Sequence, residues 1–221
     1  MSAYEQKPFE LAEFAANPDP RCACVLLLDV SGSMAGKPIA ELSEGFDLLL
    51  TELRSDPVAA RRVELAVVTF GPVDVQFDFG LVSQVPALDL RVGGNTPMGE
   101  AINTALDLLD QRKSTYKSAG IPYYRPWVFL ITDGAPTDDW HPAAMRIHDG
   151  ESKKRFAFFA VGVENADMGT LAQFSNRQPL RLQGLQFREL FVWLSSSLSA
   201  VSVSHPDDDV HLQSPSGWAV V

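Results

Sequence analysis

The stretch CACVLLLDVSGSM, residues 22–34, decides the architecture. Seven small or apolar residues run without interruption to a single acid, Asp29. A strand with one wet face would alternate, so this run predicts a strand over 22–29 that is buried on both faces. The small, Gly-containing segment 30–37 (VSGSMAGK) reads as a loop. Pro38 then suits the first turn of a helix, where its missing N–H is not needed. Ile39, Leu42, Phe46, Leu49, Leu50 and Leu53 follow at three- and four-residue steps, an amphipathic helical stripe.

The same alternation of strand and helix continues outward. RVELAVVTF (62–70), PWVFLIT (126–132) and FAFFAVGV (156–163) are further apolar runs of strand length. VDVQFDF (73–79) instead alternates apolar with polar, as expected for an antiparallel edge strand with one solvated face. Helices are expected over 97–113, 142–152, 167–174 and 187–201, with a short strand near 180–182. The predicted fold class is therefore α/β: a doubly wound, mainly parallel sheet flanked by helices, with one antiparallel edge strand. The domain proper is placed at 21–202. Residues 1–20 read as an N-terminal extension packing on it through Phe9, Leu11 and Phe14, and 203–221 as a C-terminal tail. Trp218 in that tail suits two roles, an anchor onto its own domain or onto a partner.

Bulk properties narrow the function. A chain of 221 residues with 46% hydrophobic content is long enough for one well-buried core. Its 18 basic and 28 acidic side chains give a net charge of −10. Nucleic acids and anionic membrane surfaces both call for clustered Lys and Arg, so neither is an expected partner. No run approaches the roughly 20 apolar residues of a membrane span. The opening MSAYEQKPFELAEFAANPDP has neither a basic segment nor a long apolar one and is not expected to be a secretory signal. Cys22 and Cys24 are expected to be reduced, small core side chains rather than zinc ligands, and a cytoplasmic location follows as an expectation.

Three loops carry the chemistry. Asp29, Ser31 and Ser33 follow the first strand, Thr96 precedes the helix at Pro97, and Asp133 follows PWVFLIT. In an open α/β sheet, ligands bind beyond the carboxyl ends of the strands, so these distant residues are expected to converge. Two carboxylates and three hydroxyls, with no thiolate or imidazole, form an all-oxygen set. It suits Mg2+, or Mn2+ or Ca2+, rather than zinc or copper.

DVSGS (29–33), Thr96 within GGNTPMG and TDG (132–134) together resemble the metal-ion-dependent adhesion site of von Willebrand factor type A domains. That resemblance implies a Rossmann-like fold for about residues 21–202. It also implies Ser31, Ser33 and Thr96 as direct metal ligands, with Asp29 and Asp133 acting directly or through water. RCACVLLLDVSGSMAGKPI, VELAVVTFG, GGNTPMGEAI and RPWVFLITDGAPTDDW are similar to the bacterial TerY/YegL-like, tellurite-resistance-associated branch. The branch implies a stress-response setting, with a PP2C-type phosphatase and a Ser/Thr kinase-like protein as possible partners.

The expected function is then metal-dependent capture of a partner's Asp or Glu side chain, and not catalysis. The alternative is a Mg-dependent phosphoryl-transfer or hydrolase enzyme. Against it, no His and no general base accompanies the site, and Gly36-Lys37-Pro38 is not a phosphate-loop GK[ST]. Among the neighbours, Asp138 and Asp139 suit either a rim role or an acidic cap for the helix that follows them. Met34 and Met98 suit either an apolar rim or packing beneath the loops. The four histidines, His141, His148, His205 and His211, lack ligand spacing and are expected at the surface.

Overall fold

All eight residues of the first strand, β1 (Cys22–Asp29), are buried, and they divide by parity between two cores. Cys22, Cys24, Leu26 and Leu28 face one cluster, and Ala23, Val25 and Leu27 face the other. That period of two is what a strand covered on both faces requires. The structure, a computed structural model, describes residues 12–206 and 217–220.

Seven strands form one sheet in the order β3-β2-β1-β4-β5-β6-β7. β2 (Val63–Phe70), β4 (Trp127–Thr132), β5 (Ala157–Gly162) and β6 (Leu180–Leu182) continue the parallel set around β1. β3 (Asp74–Leu81) pairs antiparallel with β2, the edge strand its alternating sequence predicts. The opposite edge adds a second antiparallel strand, β7 (Ala219–Val220), which pairs with β6 and falls in the stretch expected to be only a tail. Two residues are too few to show a strand period.

Helices cover both faces. Leu42, Phe46, Leu49 and Leu53 of α2 (Lys37–Ser55) and Leu190, Phe191, Leu194 and Leu198 of α7 (Phe187–Val203) fill one core. Ile102, Ala105 and Leu109 of α4 (Met98–Ala119) and Ala143 and Ile147 of α5 (His141–Ser152) fill the other. α4 runs six residues past its predicted end at Lys113 and stops where Gly120 takes a left-handed φ of 66°. There the Ile121 N–H closes onto the Tyr116 carbonyl at 2.9 Å, a glycine-based helix stop. Among the described residues three short α-helices, α1 (Ala12–Ala16), α3 (Ala59–Arg62) and α6 (Met168–Leu171), and one 3-10 turn (Gly32–Met34) join these elements.

Both flanking segments touch the body. Phe14 of α1 is buried between two guanidinium groups, 5.2 Å from Arg21 and 5.1 Å from Arg112. Phe9 and Leu11, the other expected docking residues, lie outside the described residues, as do Asp207 to Asp209 and His211. Trp218 is buried, its ring 5.5 Å from that of Trp193, and its carbonyl accepts the Gln183 N–H at 2.8 Å. Of its two possible roles, Trp218 therefore anchors onto its own domain.

Candidate metal site

β1 and β4 lie side by side at the middle of the sheet, and the strands that follow them lie on opposite sides: β2 beside β1, β5 beside β4. Such a switch in strand order opens a crevice at the carboxyl ends, because the outgoing loops diverge there. Asp29 is the last residue of β1, and Asp133 directly follows β4.

Asp29 is held on both oxygens. Oδ1 accepts the Ser31 N–H at 2.8 Å, and Oδ2 accepts the Thr132 hydroxyl at 2.5 Å. The Ser31 and Ser33 hydroxyls lie 3.1 Å apart, and Ser33 Oγ donates to Asp133 Oδ1 at 2.7 Å. A continuous hydrogen-bonded chain thus runs from the first loop to the third.

Thr96 joins from the second loop. The Gly93 N–H donates to the Val30 carbonyl at 2.8 Å and the Gly32 N–H to the Gly94 carbonyl at 3.2 Å. A β-carbon built on Gly134 would stand 3.5 Å from Thr96 Oγ1. The close approach of these loops depends on glycine. A β-carbon at Gly71 would come within 2.7 Å of both the Ser31 nitrogen and the Gly93 carbonyl oxygen. Gly94, at a φ of 69°, backs onto the Gly71 carbonyl.

All five residues singled out in the sequence thus meet at one end of the sheet. Asp29, Ser31, Thr96 and Asp133 are buried, while Ser33 is exposed and marks where the cluster opens to solvent. Burial pushes the Asp29 carboxyl above the ordinary aspartate range. Hydrogen bonds from Ser31 and Thr132 pull it back, and the nearby Asp133 carboxylate raises it further. Among the described residues neither carboxylate forms an ion pair.

Two acids without a counter-cation, beside three hydroxyls, are a donor set that fits a hard divalent ion. Among the described residues no group of three or more His, Cys, Asp or Glu side chains is placed to hold a metal. Next to the cluster, a cleft of about 420 Å³ runs from Val30 toward Asp74 and Asp89.

Among the neighbouring residues Asp138 departs from the cap expected of it, and the others take one of the roles expected of them. Asp138 does not cap α5, the helix that follows it. Its carboxylate accepts the Gly99 and Glu100 N–H groups at the start of α4, at 3.0 and 2.8 Å. Asp139 is the acid at α5, accepting the His141 N–H at 3.2 Å. Met34 and Met98 are fully buried and pack beneath the loops instead of forming a rim. Cys22 and Cys24 are free, buried thiols. Thr132 belongs to the TDG motif read in the sequence, although its hold on Asp29 was not foreseen, and Gly71, part of a Gly-Pro turn, had no signal of its own.

Comparison with known proteins follows the same outline. The family model described as von Willebrand factor type A domain matches residues 24–183. Among solved structures, the chain is similar to proximal thread matrix protein 1 of the mussel byssus, with 18% identity and a TM-score of 0.59 over 83% of this chain and 49% of that one. It is similar to the pilus adhesin SpaC of Lactobacillus rhamnosus GG, with 13% identity and a TM-score of 0.65 over 82% of this chain and 30% of that one. It is also similar to the VWA domain of SpRpn10, with 15% identity and a TM-score of 0.52 over 76% of this chain and 82% of that one. The chain thus spans half or less of the first two. At these identities the likeness is one of fold. No curated protein sequence matches the chain.

Proposed function

The chain belongs to the von Willebrand factor type A family, whose domains serve as protein-interaction modules, and from that membership we propose that it is a metal-dependent binding module for an acidic partner side chain. The observation that carries this reading is the Ser33–Asp133 contact at 2.7 Å, which closes the oxygen cluster across two central strands while leaving both carboxylates without a cation. Ser31, Ser33 and Thr96 would hold Mg2+, or Mn2+ or Ca2+, with Asp29 and Asp133 acting directly or through water. Bound there, the ion would offer a position to an incoming Asp or Glu carboxylate, which hydroxyl ligands leave more strongly attracted than an all-carboxylate cage would.

The chain's own contribution is to fix the donors. Asp29 is locked by Ser31 and Thr132, and the strand ends place it beside Asp133. Ser33, at the exposed end, leaves the cluster reachable. No helix among the described residues is long and apolar enough to cross a membrane. We place the protein in the bacterial TerY/YegL-like branch, in a cytoplasmic stress or tellurite-resistance setting alongside a PP2C-type phosphatase and a kinase-like protein, on the strength of the sequence segments quoted above.

One contact favours the enzymatic alternative: a serine hydroxyl that donates to a carboxylate is a possible nucleophile and base. Against it, Asp133 is shared with the metal cluster, and Lys37 is the only cation in the loop 30–37. Two measurements separate the readings. Titration with Mn2+ should show one site in the wild type and none in Asp29→Ala, and partner pull-down should be lost in chelator. Turnover of phosphomonoesters with Mg2+, abolished by the same substitution, would replace binding with catalysis.

A further inference from the structure

Thr96 and Thr137 grip each other through the main chain. The Thr96 N–H donates to Thr137 Oγ1 at 3.1 Å, and the Thr137 N–H donates to the Thr96 carbonyl at 2.9 Å. One residue on, the Asp138 carboxylate holds the Gly99 and Glu100 amides of the first turn of α4. Four hydrogen bonds therefore fasten the loop after β4 to the segment that carries Thr96. The two segments press together at Gly99, where a β-carbon would meet the Asp139 carbonyl oxygen at 2.7 Å and Trp140 Cα at 2.8 Å. Only glycine permits that approach.

The fastening loop is the one that begins with Asp133, which in turn receives the Ser33 hydroxyl. The Thr96 hydroxyl has no hydrogen-bond partner among the described residues, although the N–H and carbonyl of Thr96 are both engaged. The main chain is fixed and the side-chain oxygen is left available. An ordinary helix cap explains the contacts of Asp138 with α4. It does not explain why Thr137, which touches no amide of α4, reciprocates with Thr96.

We propose that Thr137 and Asp138 are positioning residues that fix Thr96 relative to Asp133, so that the oxygen cluster is preset and not assembled when an ion or partner arrives. This rests on the metal-binding reading above. Pre-organised donors bind more tightly because less ordering remains to be done on binding.

Thr137→Val removes the acceptor while keeping the shape, and Thr137→Ser keeps the acceptor. Two readouts apply to the full chain: hydrogen exchange of the Thr96 amide without metal, and titration with Mn2+. Thr137→Val should speed exchange and weaken Mn2+ binding, each by about ten-fold, the scale of one lost hydrogen bond. Thr137→Ser should stay within about two-fold of wild type on both. Asp138→Asn, which keeps one oxygen acceptor, should weaken Mn2+ binding by about three-fold, and it carries the test if Thr137→Val fails to fold. Faster exchange with unchanged Mn2+ affinity overturns the positioning role, and so does equal loss in the Val and Ser variants. Wild-type protein that takes up no Mn2+ removes the metal-binding reading itself and this inference with it, an outcome visible before any variant is made.

Discussion

Ser33 and Asp133, one hundred positions apart in the chain, meet at 2.7 Å with the serine hydroxyl donating to the carboxylate. Ser33 is exposed, so its contact supports no core packing. Ser33→Ala is therefore expected to leave stability in chelator within about 0.5 kcal/mol of wild type, as for most surface substitutions. Loss of a ligand should meanwhile weaken Mn2+ binding by about ten-fold or more. Calorimetric titration paired with thermal melts in EDTA checks both halves. Undiminished Mn2+ affinity would take Ser33 out of the ligand set.

A second cluster lies away from that site and carries stability. Glu64 of β2 is fully buried and accepts from Arg21 Nε at 2.8 Å, Arg112 Nε at 2.7 Å and the Tyr116 hydroxyl at 2.5 Å. Arg21 is also fully buried. Burial first, and then the Glu64 charge, hold the Tyr116 phenol well above its ordinary range, so it remains a donor. Glu64→Ala would strand Arg21 in the interior without its carboxylate. Breaking one side of a buried pair costs about 3–5 kcal/mol. Urea unfolding at neutral pH measures it, and a loss below about 1 kcal/mol would show that the network relaxes around the gap.

These two clusters differ in how far they could be read from sequence. Asp29, Ser31, Ser33 and Asp133 follow apolar runs and Thr96 precedes a helix, where the alternation of strand and helix predicts their convergence. Glu64 sits inside such a run, and nothing local marks it as paired with Arg21 and Arg112, whose positions depend on tertiary packing. The same holds for Asp138. Its sequence neighbours point to α5, yet its carboxylate goes to α4, because the loop after β4 folds back across the Thr96 segment. Strand existence was legible from apolar runs and edge position from alternation. β7 and the short helices α1 and α3 were not, since two to five residues carry no measurable period.

Trp218 shows how much a segment outside the predicted domain can contribute. Its ring is buried beside Trp193 in the α2–α7 core, and β7 follows it directly. Trp218→Ala removes a large buried aromatic, for which about 3–5 kcal/mol is typical. Denaturant unfolding should show that loss, with faster amide exchange at Ala219 and Val220. Trp218→Phe should recover much of it. A stability unchanged by Trp218→Ala would mean that the tail leaves the sheet edge at no cost.

Cys22 offers a test of burial through pH. Its thiol is pushed up to about 12, first by burial and then by the negative charge of Glu64. In the unfolded chain the same thiol ionises near its ordinary value of about 8.5. Between those values the unfolded state has released a proton that the folded state keeps, so folded stability falls as pH rises. The slope approaches about 1.4 kcal/mol per pH unit and vanishes well below pH 8. Tyrosines and lysines titrate over the same range, but Cys22→Ala retains them and lacks only the thiol. Wild type should be the more stable of the two at pH 7, where the substitution leaves a small void. Its advantage should shrink steadily from pH 9 to 10.5 in paired urea titrations. A constant gap across that interval would mean that the folded protein lets the thiol ionise, which a side chain sealed at the start of β1 cannot do.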